Sequence, residues 1–509
     1  MLHADLLGER TRLTPLSLAL VDVSTGVRMS YAQLNARAEA CARVLVHTLG
    51  LRKGDRLGLL SHNSVEFLDF VFAAAKTGVI LVPLNTRLTA RELSGIVENS
   101  GLRTLVFDPE LGSTIADLRE RVSLDAWVGL GQDYPRLLEQ AAHAPFTREP
   151  CGGEDLFALL YTSGTTGTPK GVMIPHRMIV WNAYNTVMGW QLRADDVSSI
   201  FTPLYHAGGL AVFLMPLVAI GGTCVLHRHF DAAEVWRTIE QERCTVVLGV
   251  PTIWKLLSDA PEFATADLSH VRWFISGGAP LPDFIADTYR RRGIIFRQGY
   301  GLTEVGVNCF AMTDEDSTRK PGSIGKPLMM TAARLVDDEG RTVPAGEVGE
   351  LWLGGPHVSL GYWNAPDATA AVLDADGWFH TGDMARMDAD GFFYIVGRRK
   401  DMFISGGVNV YPTEIEAELL QHPAVADVAV VGVPDERWGE VGIAFVVPRN
   451  QIGASHESLT AFLQDRIARY KLPRGVVQVD ALPRTAYGKV AKGELLRLYA
   501  ERTPGAGKP

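Results

Sequence analysis

The chain contains 509 residues, of which 47% are hydrophobic and 21% are charged. A single hydrophobic core stops growing at about 250–300 residues, so this length predicts two or more domains of a soluble globular protein. The formal net charge of −9 argues against a protein that attracts nucleic acid through a basic surface. A local basic pocket for a nucleotide or a coenzyme remains compatible with that charge.

The N-terminus, one apolar stretch and the cysteines indicate where the protein resides. Met1–Arg12 carries charged side chains and lacks the continuous apolar core of a signal peptide. Between His206 and His227 no residue is charged, but the unbroken apolar part, Leu210–Ile220, is shorter than the ~20 residues that cross a bilayer. We therefore predict a buried helix there, no transmembrane segment and a cytoplasmic protein. The cysteines lack metal-binding spacing and are predicted to be reduced core residues: Cys41, Cys151, Cys224, Cys244 and Cys309.

The N-terminal part of the chain alternates helical and strand patterns. Apolar residues at helical spacing predict a helix at Tyr31–Leu49, and a second, more apolar helix is predicted at Val65–Thr77. The predicted strands are Arg56–Leu60, Val79–Pro83, Leu156–Tyr161, Val246–Val250, Trp273–Ser276 and Ile294–Arg297. This alternation is typical of an α/β domain whose strands are covered on both faces, and ligands bind at the carboxyl ends of such strands.

From about Lys320 the composition changes. Dense turn residues and a β-rich run at Val348–Leu353 predict a small β subdomain that resembles a barrel. A compact α+β unit is predicted to follow residue 401. Its predicted elements are a helix at Thr413–Gln421 entered through Pro412, strands at Val425–Val433 and Ile443–Pro448, and a helix around Glu457–Tyr470.

A loop rich in glycine and threonine follows the strand at Leu156–Tyr161. Small residues let backbone N–H groups approach phosphate oxygens, hydroxyl groups add donors, and Lys170 adds positive charge. The loop lacks the Gly-Lys-Ser/Thr spacing of a Walker A motif. Its residues are Thr162, Ser163, Gly164, Thr165, Thr166, Gly167, Thr168, Pro169, Lys170 and Gly171. The sequence therefore predicts a phosphate-binding loop of a different kind.

This loop resembles the phosphate loop of the adenylate-forming superfamily, which includes acyl-CoA synthetases, adenylation domains of peptide synthetases, and luciferases. Further motifs of that superfamily follow in the same order along nearly the whole chain. They are Ser276–Leu281 (SGGAPL), Tyr300–Glu304 (YGLTE), Thr381–Asp383 (TGD), Gly397–Asp401 (GRRKD) and Pro483–Lys489 (PRTAYGK). One short match would be weak, whereas this ordered series is specific.

The resemblance implies a large N-terminal domain at residues 1–397, built of packed mixed α/β sheets with the small β barrel-like subdomain. A hinge at 398–401 and a small mobile α+β domain at 402–509 would follow. It also implies a reaction in which a carboxylate attacks the α-phosphorus of ATP, so that catalysis consists mainly of positioning and charge neutralisation. ATP, Mg²⁺ and coenzyme A are the expected substrates and cofactor.

The resemblance also assigns residues to the nucleotide. Gly277, Gly278 and Ala279 would flank adenine, and Tyr300, followed by Gly301, would stack on it. Thr303 would hydrogen-bond the α-phosphate, and Glu304 would hold Mg²⁺. Asp383 would accept hydrogen bonds from both ribose hydroxyl groups, with Arg398 assisting.

The C-terminal domain would supply the catalytic lysine. Lys489 would bridge the substrate carboxylate and a phosphate oxygen as a flexible point charge. Lys400 would be the hinge about which the domain turns between adenylation and thioester formation, whereas Lys492 is expected to be a solvated surface lysine. After that turn, Gly406 and Gly407 would leave a narrow path for the pantetheine arm of coenzyme A. Trp438 would border this path, although a core tryptophan is a competing interpretation.

The acid pocket is predicted from the same resemblance. His206 would admit or orient the carboxylate, and the wall would include Tyr205, Ala207, Gly277, Gly299, Gly301, Val305 and Gly306. Relatives that activate amino acids carry an aspartate near Tyr205 to hold the substrate ammonium, and this chain carries none there. Because burying an unpaired amine is costly, amino acids are disfavoured.

The pattern thus favours an ATP-dependent carboxylic acid–CoA ligase acting on a medium- or long-chain fatty acid. An aryl acid–CoA ligase of the coumarate or benzoate type is the alternative, because small apolar residues accommodate a chain or a ring. A stand-alone adenylation enzyme that loads a separate carrier protein also stays open. The sequence does not decide whether the chain forms homo-oligomers.

Overall fold

The structure is a computed structural model that describes residues 4–162, 169–449, 454–464, 466–485 and 489–502. The chain divides into two compact units. Unit 1 comprises Met1–Leu281, Thr288–Ala333 and Leu353–His380. Unit 2 comprises Pro282–Asp287, Arg334–Trp352 and Thr381–Pro509.

The helices of the described residues begin and end as follows. They are α1 (Leu6–Leu13), α2 (Tyr31–Arg43), α3 (Val65–Thr77), α4 (Ala90–Ser100), α5 (Gly112–Arg119), α6 (Asp133–Ala141), α7 (His176–Gly189), α8 (Ala207–Gly209), α9 (Met215–Ile220), α10 (Ala232–Gln241), α11 (Pro251–Asp259), α12 (Asp283–Arg290), α13 (Asp314–Arg319), α14 (Pro366–Ala370), α15 (Pro412–Leu419), α16 (His456–Leu463) and α17 (Lys492–Arg502). Two π-helical turns, Val44–Thr48 and Leu210–Leu214, extend α2 and precede α9.

The strands are distributed over several sheets. They are β1 (Leu18–Asp22), β2 (Arg28–Ser30), β3 (Arg56–Leu60), β4 (Ile80–Pro83), β5 (Thr104–Phe107), β6 (Ala126–Gly129), β7 (Leu156–Thr162), β8 (Lys170–Pro175), β9 (Val197–Ile200), β10 (Thr223–Leu226), β11 (Val246–Gly249), β12 (Trp273–Ser276), β13 (Phe296–Gln298), β14 (Phe310–Ala311), β15 (Lys326–Pro327), β16 (Ala332–Val336), β17 (Val348–Gly354), β18 (Phe379–Met387), β19 (Phe393–Arg398), β20 (Phe403–Ser405), β21 (Val408–Val410), β22 (Val425–Asp435), β23 (Gly439–Pro448) and β24 (Gly475–Gln478).

Unit 1 contains the α/β sheets that the sequence predicts. A six-stranded sheet has the order β6-β5-β3-β4-β7-β8, parallel except for β8, which pairs antiparallel with β7. A second sheet, β11-β12-β13, is wholly parallel. The apolar helix α3 connects strands β3 and β4. Ser64 caps its N-terminus, and Gly78 ends it in a left-handed conformation. The fold class is confirmed.

Unit 2 contains a four-stranded sheet, β16-β17-β18-β19, at the predicted β subdomain. The predicted α+β unit forms a five-stranded sheet in which β22 and β23 are long antiparallel partners. Alternate residues of β22 contribute to two different apolar clusters, Val428 and Val430 to one, and Ala429 and Val431 to the other. Because a strand places successive side chains on opposite faces, both faces of this sheet are covered.

Two predicted helices differ from the structure in length. The helix predicted at Tyr31–Leu49 changes to a π-helical turn after Arg43, which keeps Val44 and Leu45 buried. The helix predicted around Glu457–Tyr470 ends at Leu463. Tyr470 is 42% exposed, so it does not continue the apolar stripe that suggested the longer helix.

The uncharged stretch before His227 lies in the core of unit 1. Leu210–Leu214 and Met215–Leu217 are buried, as predicted, and strand β10 follows. No helix among the described residues has the length and apolar character that a membrane crossing requires. All five cysteines are buried free thiols, which confirms their assignment to the core.

Candidate active site

The predicted phosphate loop lies between two antiparallel strands of unit 1. Thr162, at the end of β7, pairs with Lys170, at the start of β8, and both side chains are half-buried. Ser163, Gly164, Thr165, Thr166 and Gly167 lie outside the described residues. The pairing of β7 with β8 thus fixes Thr162 and Lys170 opposite each other.

Tyr362 connects the end of this loop with the predicted magnesium ligand. The Lys170 ammonium group lies 5.0 Å from the centre of the Tyr362 ring. The Tyr362 hydroxyl group donates a hydrogen bond of 2.9 Å to Oε1 of Glu304. Mg²⁺ prefers oxygen ligands, usually one or two carboxylates plus phosphate oxygens and water. A half-buried carboxylate oriented by a tyrosine that also contacts a lysine therefore fits Mg²⁺ with a polyphosphate.

The predicted adenine-flanking residues lie at the carboxyl ends of β12 and β13. These strands are parallel neighbours, so Gly277 and Gly299 emerge side by side, and the Gly299 N–H donates to the Ser276 carbonyl at 2.8 Å. The Gln298 side chain donates to the carbonyl oxygens of Ala279 and Gly299. Tyr300 is half-buried, and its ring meets Phe310 edge to face. Ligands bind at such strand ends in open α/β sheets.

The segment after Thr303, Glu304–Val307, is held by hydrogen bonds from distant parts of unit 1. The Ser359 N–H donates to the Glu304 carbonyl at 2.8 Å, and the Val307 N–H donates to Oδ1 of Asn182 at 3.2 Å. His357 donates from Nδ1 to the Val305 carbonyl. Glu304 and Val305 are thereby fixed by backbone contacts as well as by Tyr362.

His357 has a single consistent hydrogen-bonding pattern. A carbonyl oxygen only accepts, so Nδ1 carries the hydrogen and Nε2 accepts from the Thr331 hydroxyl group at 2.9 Å. Asn185 in turn donates to the Thr331 oxygen at 3.0 Å. Burial lowers the pKa of His357, which keeps the imidazole neutral and preserves this direction of donation.

We expect His357→Leu to raise the KM for the acid by several-fold and to lower the free energy of unfolding by about 1–3 kcal/mol, because the Val305 carbonyl and the Thr331 hydroxyl group lose buried partners. Steady-state kinetics and denaturant unfolding measure the two effects. His270→Leu is the matched control, since His270 also bonds a carbonyl, that of Ile239, outside the predicted pocket. It should lose stability without a change in acid KM. Equal increases in acid KM for both variants would contradict this role of His357.

The other predicted wall of the acid pocket is the segment Tyr205–Ala207. Tyr205 is buried, and its ring meets the half-buried His206 ring edge to face at 4.6 Å. Asn63 holds the residues that precede the segment Tyr205–Ala207. Its side chain donates to the Thr202 carbonyl and accepts from the Leu204 N–H.

Two asparagines contact the π-helical turn Leu210–Leu214, which follows this segment a few residues later. In the π-helical turn Leu210–Leu214, the Ala211 carbonyl accepts from Asn182 at 2.8 Å, and the Val212 carbonyl accepts from Asn308 at 3.3 Å. Asn182 also accepts from the Val307 N–H. π-Helical turns are often found at functional sites. The buried asparagines thus fix the turn that follows Tyr205–Ala207 against Val307 and Asn308.

The glycines predicted to make room for the acid differ in their surroundings. A Cβ atom at Gly301 would lie 2.3 Å from the Gly306 carbonyl oxygen, so backbone contact requires this glycine. Gly306 has φ of +85°, a conformation that favours glycine by itself. At Gly277 a Cβ atom would meet only the Gly299 carbonyl oxygen, at 3.8 Å. The absence of a side chain therefore creates space at Gly277, whereas Gly301 and Gly306 are needed for the backbone.

In unit 2, the predicted ribose ligands form an ion pair. Asp383 on β18 is 4% exposed, and its Oδ1 lies 2.6 Å from Nε of Arg398 on β19. The two residues are register partners in the antiparallel pair. Arg398 therefore orients the Asp383 carboxylate, which agrees with the assisting role predicted for it.

Lys400, the predicted hinge residue, lies between two residues of unit 2 whose side chains are paired. Arg399 pairs with the buried Glu350 at 3.0 Å, and Glu350 also accepts from the Gly382 N–H. On the other side of Lys400, Asp401 lies 3.6 Å from the Lys492 ammonium group. Burial lowers the pKa of Lys400, although Asp401 opposes the shift.

The expectation that Lys492 is a solvated surface lysine is wrong. Its side chain is 24% exposed and lies 3.3 Å from Glu416 of α15. Burial raises the pKa of Glu416, and Lys492 counters that shift. Lys492 therefore compensates a carboxylate that the sequence alone does not place near it.

Lys489 is exposed, and its backbone is anchored. The Thr485 N–H donates to the Lys489 carbonyl at 2.8 Å, and Arg484 pairs with Asp427 of β22 at 2.6 Å. The side chain is thus presented from a fixed point on unit 2. Residues 486–488 of the same motif lie outside the described residues.

The residues predicted to line the coenzyme A path lie together in unit 2. Trp438 is 40% exposed, so the competing core interpretation is wrong. The Gly406 N–H donates to the Trp438 carbonyl, and a Cβ atom at Gly406 would lie 2.9 Å from the indole ring. Nothing surrounds the corresponding position of Gly407 within 4 Å. The absence of a side chain lets Gly406 pack closely against the indole ring, whereas Gly407 faces open space.

Sequence reasoning missed Tyr362, His357, Asn182 and Asn308. Tyr362 could have been noticed, since Gly361-Tyr362-Trp363 is an aromatic cluster directly after a turn-rich segment. The other three carry no local signal, because their partners lie far away in the chain.

Comparison with known proteins identifies the family. A family model described as AMP-binding enzyme matches residues 8–363, and a model of the AMP-binding enzyme C-terminal domain matches residues 414–489. The chain therefore belongs to the AMP-binding enzyme family, the adenylate-forming enzymes that its motifs resemble.

The relatives are acid–CoA ligases. Feruloyl-CoA synthase of Amycolatopsis sp is 41% identical over 490 residues, covering 96% of this chain and 97% of that protein. Long-chain-fatty-acid–CoA ligase FadD13 of Mycobacterium tuberculosis is 39% identical, covering 98% and 99%. The structure of O-succinylbenzoate coenzyme A synthetase from Bacillus subtilis with ATP and magnesium ion has a TM-score of 0.87 and 32% identity, covering 97% and 99%.

These findings confirm the prediction of an AMP-forming acid–CoA ligase that uses ATP, Mg²⁺ and coenzyme A. They leave the acid undecided, since one similar relative is named for an aryl acid and another for a fatty acid.

Proposed function

We propose that this ligase activates a medium- or long-chain fatty acid as its acyl-adenylate and transfers the acyl group to coenzyme A. The observation that supports an apolar acid is the character of the residues proposed to line the acid pocket. Tyr205 and Val305 are buried, His206 and Ala207 are half-buried, and no carboxylate among these four would hold a substrate ammonium. An aryl acid is the second candidate, favoured by the identity to feruloyl-CoA synthase.

In the adenylation step, unit 1 would position the two anions that must meet. Thr162, Lys170 and Thr303 would hold phosphate oxygens, while Tyr300 and Gly277–Ala279 hold the base. Mg²⁺, held by Glu304, would supply charge neutralisation on the phosphates. His206 would orient the carboxylate, and Lys489 would neutralise charge on it and on the α-phosphate, which is where negative charge accumulates.

We propose that 398–401 is a hinge between an N-terminal domain, 1–397, and a C-terminal domain, 402–509. The paired side chains of Arg399 and Asp401 support this, because they anchor the neighbours of Lys400 to different elements. Rotation of the C-terminal domain about Lys400 would move Lys489 away from the acyl-adenylate. It would bring Gly406, Gly407 and Trp438 beside the acyl-adenylate instead. The thiol of coenzyme A would then attack the acyl carbon, and AMP would leave.

A matched acid panel tests the substrate. We expect dodecanoate to give a kcat/KM at least about tenfold above that of ferulate, because each methylene buried in an apolar pocket contributes to transition-state binding. Pyrophosphate release with Mg-ATP and coenzyme A measures both. A preference for ferulate would overturn the fatty-acid proposal in favour of the aryl one. Replacing coenzyme A by a carrier protein in the same assay distinguishes a carrier-loading enzyme.

We also propose a cytoplasmic location. The five buried free thiols support it, since reduced cysteines are typical of that compartment.

A further inference from the structure

Two histidines and a glutamate lie together on unit 1, at the ends of strands from two different sheets. His62 follows β3, Glu110 follows β5, and His229 follows β10. One ligand atom from each residue lies within 4.8 Å of the others. We propose that His62, Glu110 and His229 form a binding site for a divalent transition-metal ion with affinity for imidazole, such as Zn²⁺.

The distances suit a four-coordinate ion. Oε2 of Glu110 lies 3.6 Å from Nδ1 of His62 and 3.7 Å from Nε2 of His229. Zinc–nitrogen and zinc–oxygen bonds of about 2.0–2.2 Å in a tetrahedron place neighbouring ligand atoms roughly 3.3–3.5 Å apart. Rotation of the exposed His229 and Glu110 side chains would therefore complete the coordination of three protein ligands, with water in the fourth position.

The surrounding groups orient the ligands and set the local charge. Arg228 contacts Oε1 of Glu110 at 2.8 Å. The other carboxylate oxygen, Oε2, is the one that lies near the two histidines. The two imidazole rings meet edge to face, with centres 4.6 Å apart, so their nitrogen atoms converge without stacking. Asp108, which is 3% exposed, pairs with Arg228 and accepts a hydrogen bond of 3.2 Å from Nδ1 of His62. An ion bound at Nδ1 would displace that proton, and the Asp108 carboxylate would keep Arg228 as its partner. Two carboxylates against one guanidinium give the cluster a net negative charge that attracts a cation.

This ligand set differs from the one that fits Mg²⁺. Imidazole nitrogen binds zinc, copper and nickel ions well, whereas Mg²⁺ prefers oxygen. The site is therefore distinct from Glu304 in both position and chemistry. It also adjoins Asn63, the residue that holds Thr202 and Leu204 before the Tyr205–Ala207 segment. A bound ion would link the ends of strands from two sheets at the residue next to Asn63.

Calorimetric titration with zinc chloride tests the site. The full chain, stripped with EDTA and supplied with excess Mg²⁺, should bind one Zn²⁺ ion with high affinity, and saturating Zn²⁺ should raise the melting temperature by a few degrees. His229→Gln and Glu110→Gln should each weaken Zn²⁺ binding at least about tenfold. His143→Gln, at an exposed histidine away from the cluster, should bind Zn²⁺ like the wild type.

The side chains of His229 and Glu110 are 56% and 54% exposed, so their substitution should leave the metal-free melting temperature unchanged. This comparison separates lost ligation from lost folding. Equal Zn²⁺ affinity in the wild type and His229→Gln, or no saturable binding by the wild type, would overturn the proposal. Either result would leave the acid–CoA ligase function intact.

Discussion

Replacing Lys489 by alanine is expected to reduce acid-dependent pyrophosphate release by about 100- to 1,000-fold, the loss typical of removing one group that stabilises transition-state charge. Thioester formation from supplied acyl-adenylate should stay within a few-fold of the wild-type rate, because the proposed role of Lys489 ends once pyrophosphate has left. The two half-reactions are measured separately, by pyrophosphate release without coenzyme A and by acyl-CoA formation from synthetic acyl-adenylate.

Replacing Lys489 by alanine should leave the fold of unit 2 unchanged. The Lys489 side chain is exposed, and its backbone is held through Thr485, so alanine should not disturb unit 2. Lys255→Ala is the matched control, an exposed lysine on α11 paired with Asp259, and both half-reactions should survive it. Equal loss of both half-reactions in Lys489→Ala would remove the reason for assigning this residue to adenylation.

Replacing Lys400 by proline is expected to lower the thioester half-reaction at least about tenfold while changing adenylation only a few-fold. Proline fixes φ near −65° and disfavours helical conformations at the preceding Arg399, so the hinge loses the freedom to exchange two conformations. The single-turn helix Arg399–Asp401 lies at this position. The same separated assays measure the effect.

Lys400→Ala is the control for the hinge, since it removes the ammonium group but leaves the backbone torsions free. It should retain most of the thioester activity that proline abolishes. If the alanine and proline variants lose activity alike, the side chain matters and the backbone does not. If proline lowers adenylation and thioester formation by the same factor, the hinge proposal is contradicted.

The sequence assigns residues to the proposed ATP site because they lie in short contiguous motifs, and their binding of ATP stays a prediction. Thr162 and Lys170 end a hairpin, and Asp383 and Arg398 are register partners, so local pairing already places them together. The strands at Arg56–Leu60 and Trp273–Ser276 coincide with the predicted ones because each is a short, buried apolar run bounded by turns.

The proposed acid pocket is less predictable, because tertiary contacts hold the segments that are predicted to line it. His357 reaches Val305, and Asn182 reaches both Ala211 and Val307, and none of these pairs has a fixed sequence spacing. The sequence around a buried histidine or asparagine does not reveal which distant residue its side chain contacts. For Gly301 the residue was predicted but the reason was not. A glycine is required there because the Gly306 backbone lies close by, and not because the acid needs space.

Ion pairs between elements are also outside the reach of sequence reasoning. Lys492 looks like any exposed helical lysine until Glu416 is found beside it, and Glu416 is buried by the packing of α15 against β22. The same holds for the proposed metal site, whose three ligands follow strands of two sheets.

The most direct test of the two-step reaction is to follow its products in sequence. The full chain is incubated with Mg-ATP and dodecanoate in the absence of coenzyme A, coenzyme A is then added, and the products are identified by mass spectrometry. We predict that enzyme-bound acyl-adenylate and pyrophosphate form first, and that dodecanoyl-CoA and AMP replace the adenylate after the addition. Formation of ADP and phosphate, or of dodecanoyl-CoA without AMP, would contradict an adenylate-forming ligase.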